Sequence, residues 1–354
     1  MGIVKDPLSF SRFRVKGDLP ENFNNFFNEM IQRFSFLRAL HDEKIKGWTS
    51  VDNPLDTGFE FANYAVGEYM VFSMRVDRKL IPPSLLKLRF LEEEKKVKTE
   101  TGKKFLSRDR KEDLKEKVRL ELTSIIPAVP SFFEACWSLR GKIVYFCSLS
   151  PAPVDDFRDL FKRSFKTELS PLLPWGPVVP EPHDGEDDKT AASPGREFLV
   201  WLWFKSEERN GKIAISGSDV ELIFLKRMVL ESGEGEYSES VVCQGLNAAL
   251  EEGKEALRKG KKIKEARVRL SAEEFSWEFT IKADHFLFQS MRMPRSQEME
   301  EESDRDGRIL ERIALMEKAA GIMDELYEIF RKEAESPGMK AKRSAGFEKW
   351  LARR

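Results

Sequence analysis

Cysteine and histidine are scarce in this chain, with three of each among 354 residues. Cys136, Cys147 and Cys243 form no CxxC or other metal-binding spacing, and their odd number argues against a disulfide framework, so a reducing cytoplasm is the expected setting. His41, His183 and His285 sit in unrelated contexts, whereas acid, base or nucleophilic catalysis needs several titratable groups converging on one pocket. The glycine-framed serine, P-loop, dinucleotide-binding and HExxH patterns are all missing. No segment approaches the roughly 20 apolar residues of a membrane span, and the stretch from Met1 to Arg14 has no apolar run of signal-peptide length. Together these gaps predict a cytoplasmic protein with no membrane partner, no cofactor, no metal and no catalytic residues.

Net charge is nearly absent as well, at −1, although charged residues make up 34% of the chain. Positive charge must therefore be local wherever it is dense, with acid placed elsewhere. The densest stretch runs from Lys87 to Arg119 and carries Lys95, Lys96, Lys98, Lys103, Lys104, Arg108, Arg110, Lys111, Lys115, Lys117 and Arg119. Its basic excess is about five after the intervening acids are subtracted. A polyanion could use that asymmetry; the plain alternative is a solvated helix face laced with i,i+4 pairs. A second cluster, Lys259, Lys261, Lys262 and Lys264, has only Glu265 beside it and reads either as supporting contacts or as a solubilising turn.

Hydrophobic residues at 41% and aromatics at 11% support a folded chain. Phe10 to Lys16 reads as a strand. Phe23, Phe27, Met30, Ile31 and Phe34 recur at helical spacing within Glu21 to Leu37. Tyr69 to Val76 is a strand that stops at the Pro82, Pro83 pair. The basic segment is broken at Thr101 and Gly102, which predicts two helices forming a charged tip over about 84–126. Leu114, Val118, Leu122 and Ile125 give the second helix a narrow apolar stripe. Phe132 to Leu139 and Lys142 to Leu149 form a hairpin in which Gly141 is expected to take the positive φ. Val154 to Leu169 reads as a helix.

The proline-rich acidic stretch 174–196 is expected to be a mobile loop or linker between an N-terminal region, 1–173, and a C-terminal region, 197–334. Beyond it the pattern predicts a strand over Glu197 to Phe204 and a helix over Ser240 to Gly260. Three meander strands follow: Lys262 to Leu270, Phe275 to Lys282 and Phe286 to Met293. A final helix carries Ile309, Ile313, Met316, Ala320, Met323, Tyr327 and Phe330 as a single seam, able to meet the protein's own core or a partner helix. Residues 335–354 read as a loosely held basic tail. The elements add up to an α+β protein of antiparallel sheets with packed helices, in an elongated, multi-lobed subunit.

Two acidic clusters mimic metal sites and fail on inspection. His183, Asp184, Glu186 and Asp187 lie in the proline-rich stretch, where a solvated segment is the simpler reading. Glu302, Asp304, Asp306 and Gly307 resemble the first half of a calcium loop, but its twelfth position falls on Ile313, which has no carboxylate.

The order of features resembles the RdgC family, recombination-associated DNA-binding proteins of proteobacteria. The likeness is carried by Gly47 and Trp48, by Lys79 to Pro82 before the charged helix, and by EDLKEKV at Glu112 to Val118 leading to Pro127. It continues through the hairpin Trp137 to Cys147, through Gly260 and Lys261 before the meander, and into the terminal helix. The resemblance implies a ring-shaped homodimer whose basic hole encircles duplex DNA without reading sequence. It implies binding of double- and single-stranded DNA, antagonism of RecA-driven recombination, and association with the nucleoid. The DNA-binding residues expected on this basis and on local charge are Lys95, Lys96, Lys98, Lys103, Lys104, Arg108, Arg110, Lys111, Lys259, Lys261, Lys262 and Lys264, with Phe132 and Phe133. The family's aromatic after the charged helix is matched only by Phe132 or Phe133. Where the family runs Leu, Lys, Arg, Leu, Lys, Phe in the last meander strand, this chain has Phe288, Gln289, Ser290, Met291, Arg292 and Met293, two charges short. The alternatives are a DNA exonuclease and a protein-interaction scaffold without a nucleic-acid role.

Overall fold

The structure is a computed structural model that describes residues 2–352 except 5–6, 39–41, 60–63, 177–192, 209–210, 216–217, 233–238, 246–247 and 295–303. His41, His183, the acidic stretch Glu298 to Glu302 and most of the expected linker therefore lie outside the described residues. In chain order the elements are β1 (Leu8–Lys16), α1 (Phe23–Arg33), β2 (Lys44–Thr49), β3 (Ala65–Val66), β4 (Tyr69–Arg78), α2 (Pro83–Thr101) and α3 (Arg108–Ile125). β5 (Val129–Ser138), β6 (Ile143–Phe146), α4 (Pro151–Phe165), β7 (Glu168–Pro171), α5 (Pro194–Glu207), β8 (Lys212–Ile215), β9 (Ser218–Ser232) and β10 (Glu239–Gln244) follow. The chain ends with α6 (Ala248–Arg258), β11 (Lys262–Ala272), β12 (Phe275–Lys282), β13 (Leu287–Arg292), α7 (Arg305–Glu335) and α8 (Pro337–Ala352). The α+β expectation holds.

One antiparallel sheet of 13 strands runs β10-β9-β11-β12-β13-β1-β6-β5-β4-β2, with β3, β7 and β8 pairing off this path with β4, β1 and β9. β1 joins the two halves: its start pairs with β13 through Leu8 and Phe10, while Ser11 to Arg14 pair with β6. The N-terminal core lies under α1 and α4. Phe27 stacks on Phe165 at 5.0 Å, and Trp48 donates from Nε1 to Ser164 Oγ at 2.9 Å. Gly47 precedes that tryptophan because a Cβ there would stand 2.5 Å from the Phe36 Cα.

α7 spans both halves of the sheet. Arg12, buried in β1, makes two hydrogen bonds of 2.7 Å to Asp324, and Tyr69 donates to Glu317 at 2.8 Å. The nearby carboxylate adds to burial in pushing the Tyr69 hydroxyl well above its ordinary pKa. Of the seam, Ile309, Ile313, Met316, Ala320, Met323 and Tyr327 are buried in the subunit's own core and Phe330, partly buried, packs against it, so the seam is taken up within the subunit.

Four local expectations are corrected. Glu197 to Phe204 is helical, part of α5, rather than a strand. Each residue from Phe198 to Phe204 is buried, so the helix is apolar all round and shows no 3.6-residue period. The predicted helix Ser240 to Gly260 divides into β10 and α6, because Val241 to Cys243 pair with β9 and Gly245 at φ +133° ends the strand. In the β5–β6 hairpin it is Lys142, not Gly141, that takes the positive φ; Gly141 is instead pressed against Ser138, whose Oγ would lie 3.0 Å from an added Cβ. The basic tail is not loose. It forms α8, docked through buried Trp350 against Trp203 and Phe204.

Candidate nucleic-acid interface

The charged tip is a helical hairpin of α2 and α3. Pro83 opens α2 at a position where a missing N–H does no harm, and Gly102 closes it in the left-handed conformation at φ +65°. Ser107 caps α3 by accepting from the Arg110 N–H at 3.3 Å. Leu114, Val118 and Leu122 of the predicted stripe are buried, but its fourth member, Ile125 at the last position of α3, is 77% exposed.

Between the helices lies buried Glu94, 3.0 Å from Lys98 and 3.2 Å from Lys111. Those two ammonium groups hold its carboxyl below the usual range, Lys98 foremost. Lys96 pairs with Glu93, and Arg108 with Glu112 at 3.2 Å. Lys95, Lys103, Lys104 and Arg110 are exposed and make no ion pair among the described residues. Of the eight hairpin cations singled out by sequence, these four, three of them at or beside the turn, have no acidic partner among the described residues.

The second expected cluster is more fully neutralised. Lys261 is 5% exposed and donates to the Glu239 carboxylate at 3.0 Å and to the Glu239 carbonyl at 3.1 Å, which ties the α6–β11 junction to β10. Lys262 pairs with Glu197 at 2.8 Å, Lys264 with Glu231 at 2.9 Å, and Lys259 with Glu255 at 3.7 Å. Phe132 is 42% exposed, with the Arg75 guanidinium 5.7 Å from its ring and 4.1 Å from the Phe36 ring. Phe133 is half-buried beside Phe146, with ring centroids 6.0 Å apart.

Sequence reasoning missed a third basic surface. Arg227 of β9, Arg267 and Arg269 of β11 and Arg292 of β13 line one shallow depression of about 620 Å³, with Glu278 of β12 as its single acid. Antiparallel register brings them together: Arg269 faces Glu278, and Glu278 faces Arg292. The intervening Val268 and Leu270 point the other way, into the core beneath α5. Arg269 donates to Glu278 at 2.9 and 2.5 Å and lowers the pKa of that carboxyl. Arg267 donates to the Ser290 carbonyl at 3.3 Å; its burial, reinforced by the charge of Arg292, depresses its own pKa against the pull of Glu278. An arginine stays protonated under such a shift, so the site remains cationic at neutral pH. The strand alternation of Arg267 and Arg269 was visible in the sequence, but their meeting with Arg227 and Arg292 depends on strand order.

Among the described residues no group of three or more His, Cys, Asp or Glu side chains could hold a metal ion. All three thiols are buried, and burial raises the pKa of each. No described helix is long and apolar enough to cross a membrane. No protein-family model matches the chain, and no curated protein matches it in sequence.

Proposed function

We propose that this chain is a sequence-independent DNA-binding protein that contacts phosphates through the arginine-lined face of its C-terminal sheet, with the tip of the α2–α3 hairpin as a second contact. The observation that carries the reading is the gathering of Arg227, Arg267, Arg269 and Arg292 on one exposed sheet face around a single glutamate. A planar guanidinium offers paired N–H donors that match phosphate oxygens, and a group so clustered releases counterions when a polyanion docks. Four adjacent strands are broader than a major groove of about 12 Å, so contact falls on the backbone and carries little base information.

The resemblance to the RdgC family extends the proposal to a homodimer that closes around duplex DNA and restrains RecA. Closure by twofold symmetry would set two such arginine faces and two hairpins around one hole. The seam of α7 is occupied inside the subunit, so closure would use other surfaces.

The test is incubation of purified protein with end-labelled duplex in the presence of Mg²⁺ or Mn²⁺. A retarded, intact band is expected. Shortened products would replace the reading with a nuclease, and an unshifted, intact band would leave an interaction scaffold. Equal dissociation rates from circular and linear DNA of matched length would refute encirclement while leaving binding intact, because a ring leaves linear DNA by sliding off its ends.

A further inference from the structure

Phe105, at the turn of the α2–α3 hairpin, is 84% exposed, more than any other large hydrophobic side chain among the described residues. It is carried by a short connection fixed at both ends, by left-handed Gly102 on one side and by the Ser107 cap of α3 on the other. α2 alone has 19 residues, so the ring stands about 28 Å along the helix axis from the start of the hairpin at Pro83, well away from either core. Lys103 and Lys104 immediately precede it and Arg110 lies in the first turn of α3, all exposed and without an ion pair among the described residues. An aromatic face held out on a preorganised turn, ringed by uncompensated cations, has the makeup of a stacking platform: the π-face accepts any base, and the cations hold the flanking phosphates.

We infer that Phe105 stacks on an unpaired nucleobase, making the hairpin tip a contact for single-stranded DNA or for frayed and open duplex, separate from the arginine face. The inference rests on the DNA-binding reading and adds to it a preference set by strandedness. Duplex DNA keeps its bases stacked on one another, so Phe105 has no face to meet there, and its loss should matter little. On a single strand, one base stacked on an aromatic ring corresponds to about 5- to 100-fold in affinity.

Phe105→Ala, Phe105→Leu and Phe105→Trp would be compared with wild type for binding to a 20-residue oligothymidylate and to a blunt 20-base-pair duplex. All three alter an exposed side chain and should leave the circular dichroism melt unchanged. The expected result is a 5- to 100-fold loss on oligothymidylate for the Ala and Leu variants, retention by Trp, duplex affinity within twofold throughout, and an unchanged salt slope. If Leu binds as tightly as wild type, an apolar contact rather than stacking is at work and the inference fails. It also fails if the Ala variant matches wild type on oligothymidylate, or if both DNA forms lose equally. Loss of binding to anionic phospholipid vesicles with single-strand affinity intact would assign the tip to a membrane and overturn it as well. Wild-type protein that holds duplex but tolerates Phe105→Ala defeats this inference alone; wild-type protein that holds neither DNA form defeats the DNA-binding reading with it.

Discussion

Replacing Arg227 and Arg292 with Gln removes two exposed guanidinium groups that make no salt bridge among the described residues, and so tests the arginine face with the least structural disturbance. Each neutralised phosphate contact contributes about 0.9 to the slope of log K against log salt on duplex DNA. Two lost contacts should therefore flatten the slope by about 1.8. Over a fourfold rise in salt, the affinity of the wild type would then fall about twelvefold further than that of the double variant. Fluorescence anisotropy with a labelled duplex at 50, 100 and 200 mM NaCl would read both slopes. Thermal midpoints should agree, since neither side chain supports the core. The opposite sign is available at the same site: Glu278→Gln removes its single acid and should tighten binding several-fold at low salt, while freeing Arg269. A useful control is Arg163→Gln on α4, an exposed cation remote in sequence from the arginine face. The reasoning is refuted if the double variant keeps the wild-type slope, or if Arg163→Gln flattens it equally.

On the hairpin, changing Lys103, Lys104 and Arg110 together to Gln should flatten the slope by as much as about 2.7, whereas changing Lys98 and Lys111 should mainly strand buried Glu94 and lower the melting temperature. Lys261→Ala should cost about 1–2 kcal/mol in denaturant unfolding, because it leaves the Glu239 carbonyl without its donor, and should leave duplex affinity unchanged. The Glu239 carboxyl is held below its usual pKa by Lys261, so this pair stabilises above the unfolded glutamate value and fades as pH falls through the lowered folded value; Lys261→Ala should be correspondingly less sensitive to acid on that limb. Asp324→Asn should cost about 2–3 kcal/mol by calorimetry, since Arg12 is buried and loses a bidentate partner that is itself partly solvated.

Much of the fold was legible because it is written in local periodicity. The break at Gly102, the stripe of Leu114, Val118 and Leu122 without its predicted end at exposed Ile125, the bounds of β12 and the seam of α7 all follow from residues a few positions apart, and recur in the structure. Where burial is complete that signal disappears. Phe198 to Phe204 is uniformly apolar and fits a buried strand or a buried helix equally well; packing beneath β9 and β11 on one side, with α7 and α8 nearby, made it α5.

The candidate site divides along the same line. Amino-acid order alone set how much positive charge the α2–α3 segment carries and where the hairpin turns, because charge count and glycine placement are one-dimensional properties. Only the tertiary structure decided which cations remain available. Lys98 and Lys111 converge on Glu94, and Lys261 and Lys264 meet Glu239 and Glu231 from distant strands, so each spends its charge within the molecule. The same long-range pairing aligned Arg227, Arg267, Arg269 and Arg292 on one face, although 65 positions separate the first from the last. Electrostatic pairing depends on distance through space, and strand register, which no local window of sequence contains, sets that distance.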